Sequence, residues 1–311
     1  MHIMQTVLIT GGTGLIGTAL TELLIQKGYS VIILTRGKEP RTSIVPNISY
    51  ATWDIHNQTI DINAIKSADH IIHLAGANVG DKRWTKKRKK EIIESRTQSS
   101  ALLIKALEEN ENKVKTVISA SGVGWYGPDT PASLKRGGFR EDDPVNGDFL
   151  GETCKLWEQS IDPVTKLGKR LIKLRTGIVL DKNEGAIREF KKPLKSGIAT
   201  ILGSGKQVMS WIHIDDICRL YLYALENESI QGVYNAVAPQ PADNKTIILQ
   251  LAKHLRGKFY MTMHVPTFML KLVLGELSIE VLKSATVNNE KVRQAGYKFV
   301  YPSLESAINQ L

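Results

Sequence analysis

The chain has 311 residues, 42% of them apolar and 23% charged, and a formal net charge of +10. That length holds one large α/β domain and a smaller companion, and the composition is ordinary for a globular protein, which excludes a fibrous or disordered chain. No apolar run approaches the roughly 20 residues that span a bilayer; the best stretch, 265–274, is short and is broken by Lys271.

A buried strand is predicted over 6–10, entered so directly that no signal-peptide pattern precedes it. It runs into Thr10, Gly11, Gly12, Thr13, Gly14, Leu15, Ile16 and Gly17, which open a helix over 15–27 that Gly28 ends. A glycine-rich turn between strand and helix lets the backbone approach a pyrophosphate, and the helix N-terminus offers free N–H groups and a favourable dipole. A second strand over 31–35 leads to Arg36, where an NAD-preferring site carries an acid for the ribose 2′-hydroxyl. A guanidinium instead suits the 2′-phosphate of NADP(H), its plain alternative being a surface arginine, and Lys38 and Arg41 add positive charge. A weaker strand over 49–53 precedes Asp54, placed to reach an adenine edge. A short helix including 64–67 and a strand over 70–74 follow. The small residues after His73 in Leu74, Ala75 and Gly76 let the backbone pass close to a cofactor; His73 itself reads as a packed histidine.

Seven basic residues then fall between Lys82 and Lys90, at the start of a helix predicted over 86–110. They read as a solvated helix start, and no module for nucleic acid accompanies them. Strands over 114–119 and 170–179 flank a helix over 152–167. Beyond Val179 the alternation breaks. Strands over 208–214 and 232–236 flank a helix over 215–225, and the tail from Lys245 reads as mostly helical. The pattern predicts an α/β fold, a doubly wound parallel Rossmann sheet with a smaller, mostly helical C-terminal substrate domain. The expected division is 1–179 plus 207–238 for the cofactor domain and 180–206 plus 239–311 for the other. Cys154 and Cys218, far apart and without metal-ligand spacing, suit a reducing cytoplasm.

The stretches Thr10–Gly17, His73–Ala77, Ser119-Ala-Ser-Gly-Val-Gly-Trp-Tyr-Gly127 and Ser210-Trp-Ile-His-Ile-Asp-Asp216 resemble the extended short-chain dehydrogenases. More narrowly, Arg83-Trp84, Ser95-Arg96, Trp157-Glu158, Arg175-Thr-Gly-Ile-Val179, Asn235-Ala-Val-Ala-Pro239 and Ala295-Gly-Tyr-Lys-Phe-Val-Tyr-Pro302 resemble the uncharacterised "epimerase family protein" group. That group is an atypical branch of the NAD-dependent epimerase/dehydratase superfamily with its own C-terminal domain of unknown function. The resemblance spans essentially the whole chain and implies NADP(H) binding. Asp181 departs from the group, as does Ser284-Ala-Thr-Val287, which removes a Gln and an Arg as substrate contacts.

Typical members of the superfamily use a Ser with Tyr-x-x-x-Lys, the Lys tuning the Tyr and holding the nicotinamide ribose. Here the helix reads Leu150 at the Tyr position and Cys154 at the Lys position, and neither does that chemistry. Lys155 lies one residue off, about 100° around the helix. The remaining candidates for acid–base work are Ser121, Tyr126 and Glu152, Tyr126 reading equally as a binding or packing residue. Met209 stands where nucleotide-sugar enzymes carry an Arg for the diphosphate, which speaks against such a substrate. Arg83, Trp84 and Arg96 are expected to line a cleft for a small molecule by charge and stacking, against the alternative of packing at a helix start. His213 and Asp215 read as structural. Two functions stay open: an NADP(H)-dependent oxidoreductase or epimerase with atypical acid–base groups, and a sensing or scaffold protein that binds NADP(H) without turnover. In many relatives, helices like those over 86–110 and 152–167 pair with a twofold mate. Lys86, Lys87, Lys89 and Lys90 would set like charges together there, so a monomer or weak homodimer is expected.

Overall fold

The computed structural model describes residues 4–37 and 42–311; Lys38 and Arg41 lie outside them. In chain order the first half comprises β1 (Thr6–Thr10), α1 (Leu15–Gln26), β2 (Ser30–Arg36), β3 (Ile48–Asp54), β4 (Thr59–Ile60), α2 (Ile62–Ser67), β5 (His70–His73), α3 (Lys86–Glu109), β6 (Thr116–Gly122), α4 (Pro131–Lys135), α5 (Phe149–Ile161) and β7 (Arg170–Thr176). Then follow β8 (Ile178–Leu180), α6 (Gly185–Leu194), β9 (Ile198–Leu202), β10 (Val208–Met209), β11 (Trp211–His213), α7 (Ile214–Glu226) and β12 (Gly232–Ala236). The rest is β13 (Ala242–Asp243), α8 (Asn244–Arg256), β14 (Met261–Val265), α9 (Thr267–Leu274), α10 (Leu277–Leu282), α11 (Glu290–Gln294) and α12 (Leu304–Ile308).

Eight strands form the central sheet in the order β12-β7-β6-β5-β1-β2-β3-β4, parallel except for the β3–β4 hairpin. From β1 the chain builds outward through β2 and β3, then returns to β5 on the other side of β1. That reversal opens a crevice beyond the carboxyl ends of β1 and β5, the place where doubly wound folds bind ligands. Alternation along β1 serves both faces. Val7 and Ile9 pack with α1 and α7, while Leu8 packs with α2 and α3. The doubly wound sheet expected from the alternating pattern is the one observed.

A further core draws on Leu180, Ile187, Ile201 and Trp211, with Ile247 and Leu251 of α8 and Leu304, Ile308 and Leu311 at the end of the chain. It includes the parallel pair β9–β14, which the sequence pattern did not reveal. The strand expected over 170–179 breaks at Gly177, where a Cβ would lie 2.5 Å from the Ser210 carbonyl. The one expected over 208–214 breaks at Ser210, whose hydroxyl donates to the Ala285 carbonyl and accepts from the Val287 N–H. The helix expected over 152–167 begins earlier and passes into a 3-10 stretch at Asp162, next to a proline.

Candidate functional site

The turn between β1 and α1 is close-packed backbone on one side and open on the other. Gly11 sits at φ +70°, and a Cβ there would lie 2.9 Å from the carbonyl carbon of Leu74. A Cβ on Gly17 would come within 2.3 Å of the Gly11 oxygen. A Cβ on Gly12 would press on Ile33, 2.7 Å away. Thr13 and Gly14, by contrast, are exposed, with Leu15 and Ile16 half-buried behind them. The N-terminus of α1 has no side-chain cap and no acid in its first turn, so its N–H groups stay available to an anion. Arg36 is exposed at the carboxyl end of β2, beside Trp53 of β3. This cradle fits a dinucleotide pyrophosphate. Asp54 is committed locally: its carboxylate accepts from the backbone of His56 and Asn57 and from the Asn57 amide, and those hydrogen bonds hold its pKa below the usual carboxylate value.

One buried hydroxyl ties the two strands that flank the crevice. Thr10 Oγ1 accepts from the N–H groups of Leu74 and Ala75 and lies 2.7 Å from His73 Nδ1. On its other edge, His73 Nε2 reaches Ser100 Oγ at 3.1 Å, and that hydroxyl donates to the Arg96 carbonyl. With the Ser100 proton committed, Nε2 must donate and Nδ1 must accept from Thr10. Burial, reinforced by the Arg96 charge, drives the His73 pKa down to about 3, so the ring is neutral and structural. The backbone of Ala77 is held by Ser95, which accepts its N–H, and by Arg96, which donates to its carbonyl at 3.0 Å.

At the positions of the expected Tyr and Lys, α5 presents a packed, uncharged face. Leu150 lies against Gly124, where a Cβ would be 3.0 Å from the Leu150 Cβ. The Cys154 thiol donates to the Gly122 carbonyl at 3.5 Å, and burial pushes its pKa up to about 11. It is therefore a protonated packing residue.

The three acid–base candidates each have partners within the protein. Ser121 is 4% exposed and donates to Glu158 Oε1 at 2.7 Å. Tyr126 is fully buried; its hydroxyl donates to Asn235 Oδ1 at 2.7 Å and accepts from Arg175 Nη1 at 3.0 Å, and burial raises its pKa well above the ordinary phenol value. Glu152 stands two residues from Leu150, about 200° around the helix, and pairs with Lys155 at 3.4 Å on the outer face. What sequence reasoning missed is the network that claims the first two. Arg175 holds Glu158 through Nε at 2.8 Å and Nη2 at 3.1 Å, lies 3.6 Å over the Trp125 ring, and reaches Tyr126. Glu158 and Arg175 stand in the stretches that carry the family resemblance; α5 and β7 carry other charged residues as well, so nothing local marks these two as the buried pair. Asp216 is a second such case: fully buried, it accepts from the backbone of Val300 and Tyr301. His213, as expected, is structural, accepting from the Asp215 N–H at the start of α7.

The three expected lining residues do not form one cluster. Trp84 is buried, donates to the Val79 carbonyl, and meets Phe149 edge-on with centroids 4.8 Å apart. Arg83 is exposed and reaches the Leu272 carbonyl of α9, a helix that leaves Phe268, Leu272 and Val273 uncovered. Arg96 is buried behind Gly76, where a Cβ would be 2.9 Å from its Cζ. Lys89 lies 5.0 Å over the Phe149 ring and pairs with Glu276. Lys283 bridges Asp148 and Glu280.

Residues 7–147 and 181–236 match the model of the NAD dependent epimerase/dehydratase family, and residues 265–311 match a domain of unknown function, DUF1731. The chain is 36% identical over 308 residues to the epimerase family protein SSP1921 of Staphylococcus saprophyticus, covering 99% of each. It is 33% identical to the epimerase family protein YfhF of Bacillus subtilis, covering 99% of this chain and 98% of that one. Among solved structures it resembles human epimerase family protein SDR39U1, crystallised with NADPH. The TM-score is 0.84 at 28% identity, over 98% of both chains.

Proposed function

Because this chain belongs to the NAD dependent epimerase/dehydratase family, we propose that it is an NADP(H)-binding, epimerase-like oxidoreductase that acts on a small molecule without a Tyr–Lys pair. One observation carries the cofactor reading. The glycine cradle at Gly11 and Gly17, with the uncapped start of α1 beyond it, ends at a β2 whose last residue is Arg36 and not an acid. Thr10 to Gly17 would hold the pyrophosphate, Arg36 the 2′-phosphate, and Leu74 to Gly76 the path between. The human relative's structure with NADPH supports the same choice. Titration calorimetry tests it: NADPH binds much more tightly than NADH, and equal affinities overturn it.

When bound, the cofactor supplies a hydride. The chain's own contribution is to orient and to exclude water. Trp84, Phe149 and Leu150 give the cleft an apolar wall, and with no side-chain acid on the α5 face the proton comes from solvent or from the substrate itself. The residues 1–179 plus 207–238 serve the cofactor, and 180–206 plus 239–311 shape the substrate side. Two buried, unpaired thiols agree with a reducing cytoplasm, and among the described residues no helix is long and apolar enough to cross a membrane.

The packing of Leu150 and Cys154 on Gly124 and Gly122 favours a second reading, a sensor that holds NADP(H) without turnover. Following the fluorescence of bound NADPH against a panel of carbonyl compounds separates the two. Oxidation by any member supports the enzyme, and persistence of the reduced cofactor throughout supports the sensor.

A further inference from the structure

Arg96 is a buried cation whose contacts are all neutral. Its side chain donates through Nη1 to the carbonyls of Ala77 and Ile92, and its Cζ lies 4.7 Å over the Trp157 ring. Only 9% of the residue is exposed, and among the described residues it forms no ion pair. The titratable groups packed around it do not cancel its charge. His73 of β5 is neutral, and Cys154 of α5 is protonated. Glu158 of α5 is held by Arg175 and also faces Lys173 at 3.8 Å. Arg88, about two turns earlier on α3, is paired with Glu91 at 2.8 Å. The Trp157 ring supports the guanidinium without neutralising it.

That charge sits where it meets the cofactor path. The guanidinium abuts Gly76, and it is near enough to Cys154 to act on the thiol's ionisation. Cys154 holds the position at which the usual lysine would grip the nicotinamide ribose. We propose that Arg96 makes the site choose the oxidation state of its cofactor, holding NADPH in preference to NADP+. The inference rests on the NADP(H) reading above. The two forms share adenine, 2′-phosphate and pyrophosphate and differ at the nicotinamide, which is a cation when oxidised and neutral when reduced. A fixed positive charge in a poorly solvated setting raises the free energy of the oxidised form alone.

The test compares affinities for NADPH, NADP+ and adenosine 2′,5′-bisphosphate, which lacks the nicotinamide half, by calorimetry. Wild type is expected to bind NADPH at least tenfold more tightly than NADP+. In Arg96→Gln that ratio falls to within threefold while affinity for the bisphosphate changes less than twofold. Arg96→Lys, which keeps the charge but not the guanidinium geometry, retains most of the ratio. Equal wild-type affinities for the two forms overturn the proposal without any variant having to fold. So does an equal fall of the ratio in the Lys and Gln variants, which marks a structural role. Failure of wild type to bind the bisphosphate sinks the NADP(H) reading itself, and the proposal with it.

Discussion

At the scale of single residues, Arg36 is the sharpest test of cofactor choice. Losing one charge-assisted phosphate contact costs about 1.5–3 kcal/mol, so Arg36→Ala should weaken NADPH roughly ten- to a hundredfold and leave NADH nearly unchanged. Binding isotherms for both cofactors check it. Tyr126 is a buried residue, in keeping with the packing role, one of the three its place in Trp-Tyr-Gly left open. Because its hydroxyl bridges Asn235 and Arg175 in the interior, Tyr126→Phe leaves a buried acceptor and a buried donor unpaired. The expected result is a loss of about 1–3 kcal/mol of stability in urea unfolding with NADPH affinity intact; a weakened cofactor with unchanged stability would contradict it. The glycines and Arg36 could be read from the sequence because their chemistry is local, set by one turn and one strand end. Ser121 and Tyr126 could not. Their partners lie 37 and 109 residues away, and only the assembled sheet brings Glu158, Arg175 and Asn235 against them.

At the scale of elements, the joint between β1, β5 and α3 depends on one neutral imidazole. Folded His73 protonates only near pH 3, whereas in the unfolded chain it does so near 6.5. Between those values the unfolded state binds the extra proton, so stability is highest above pH 6.5 and falls as pH drops toward 3, by up to about 1.4 kcal/mol per unit. His73→Asn should flatten that part of the curve by close to one proton; equal slopes for the two proteins from pH 6.5 to 4 would refute the assignment. At the β1–α1 turn, Gly17→Ala drives a methyl toward the Gly11 oxygen, 2.3 Å away on the unmoved backbone. The turn has to open, and NADPH binding should drop more than tenfold with a lower melting temperature. Most of the large sheet was legible because its strands are short apolar runs separated by helices of the right period. The pair β9–β14 was not, since every residue of β14 but Val265 is exposed and no alternation marks it.

At the scale of the whole molecule, the basic start of α3 bears on assembly. Lys89 and Lys90 find partners in Glu276 and Glu94, but Lys86 and Lys87 remain exposed, so a twofold mate on this face meets positive charge. The expected outcome in sedimentation is a monomer or a weak dimer that strengthens with salt; a salt-independent dimer at nanomolar concentration would rule this out. The division into two cores has a consequence of another kind, in the order of synthesis. The sheet's strands up to β7 leave the ribosome before α6, and β11, α7 and β12 soon supply most of the larger core, which Val292 and Tyr297 join only later. The second core cannot close then. Leu180, Ile187 and Ile201 emerge early, yet Leu304, Ile308 and Leu311 pack against the same cluster. Until α11 and α12 arrive, the nascent chain carries a nearly complete larger core and an uncovered apolar face. That is the interval in which it is most prone to aggregate and most in need of a chaperone.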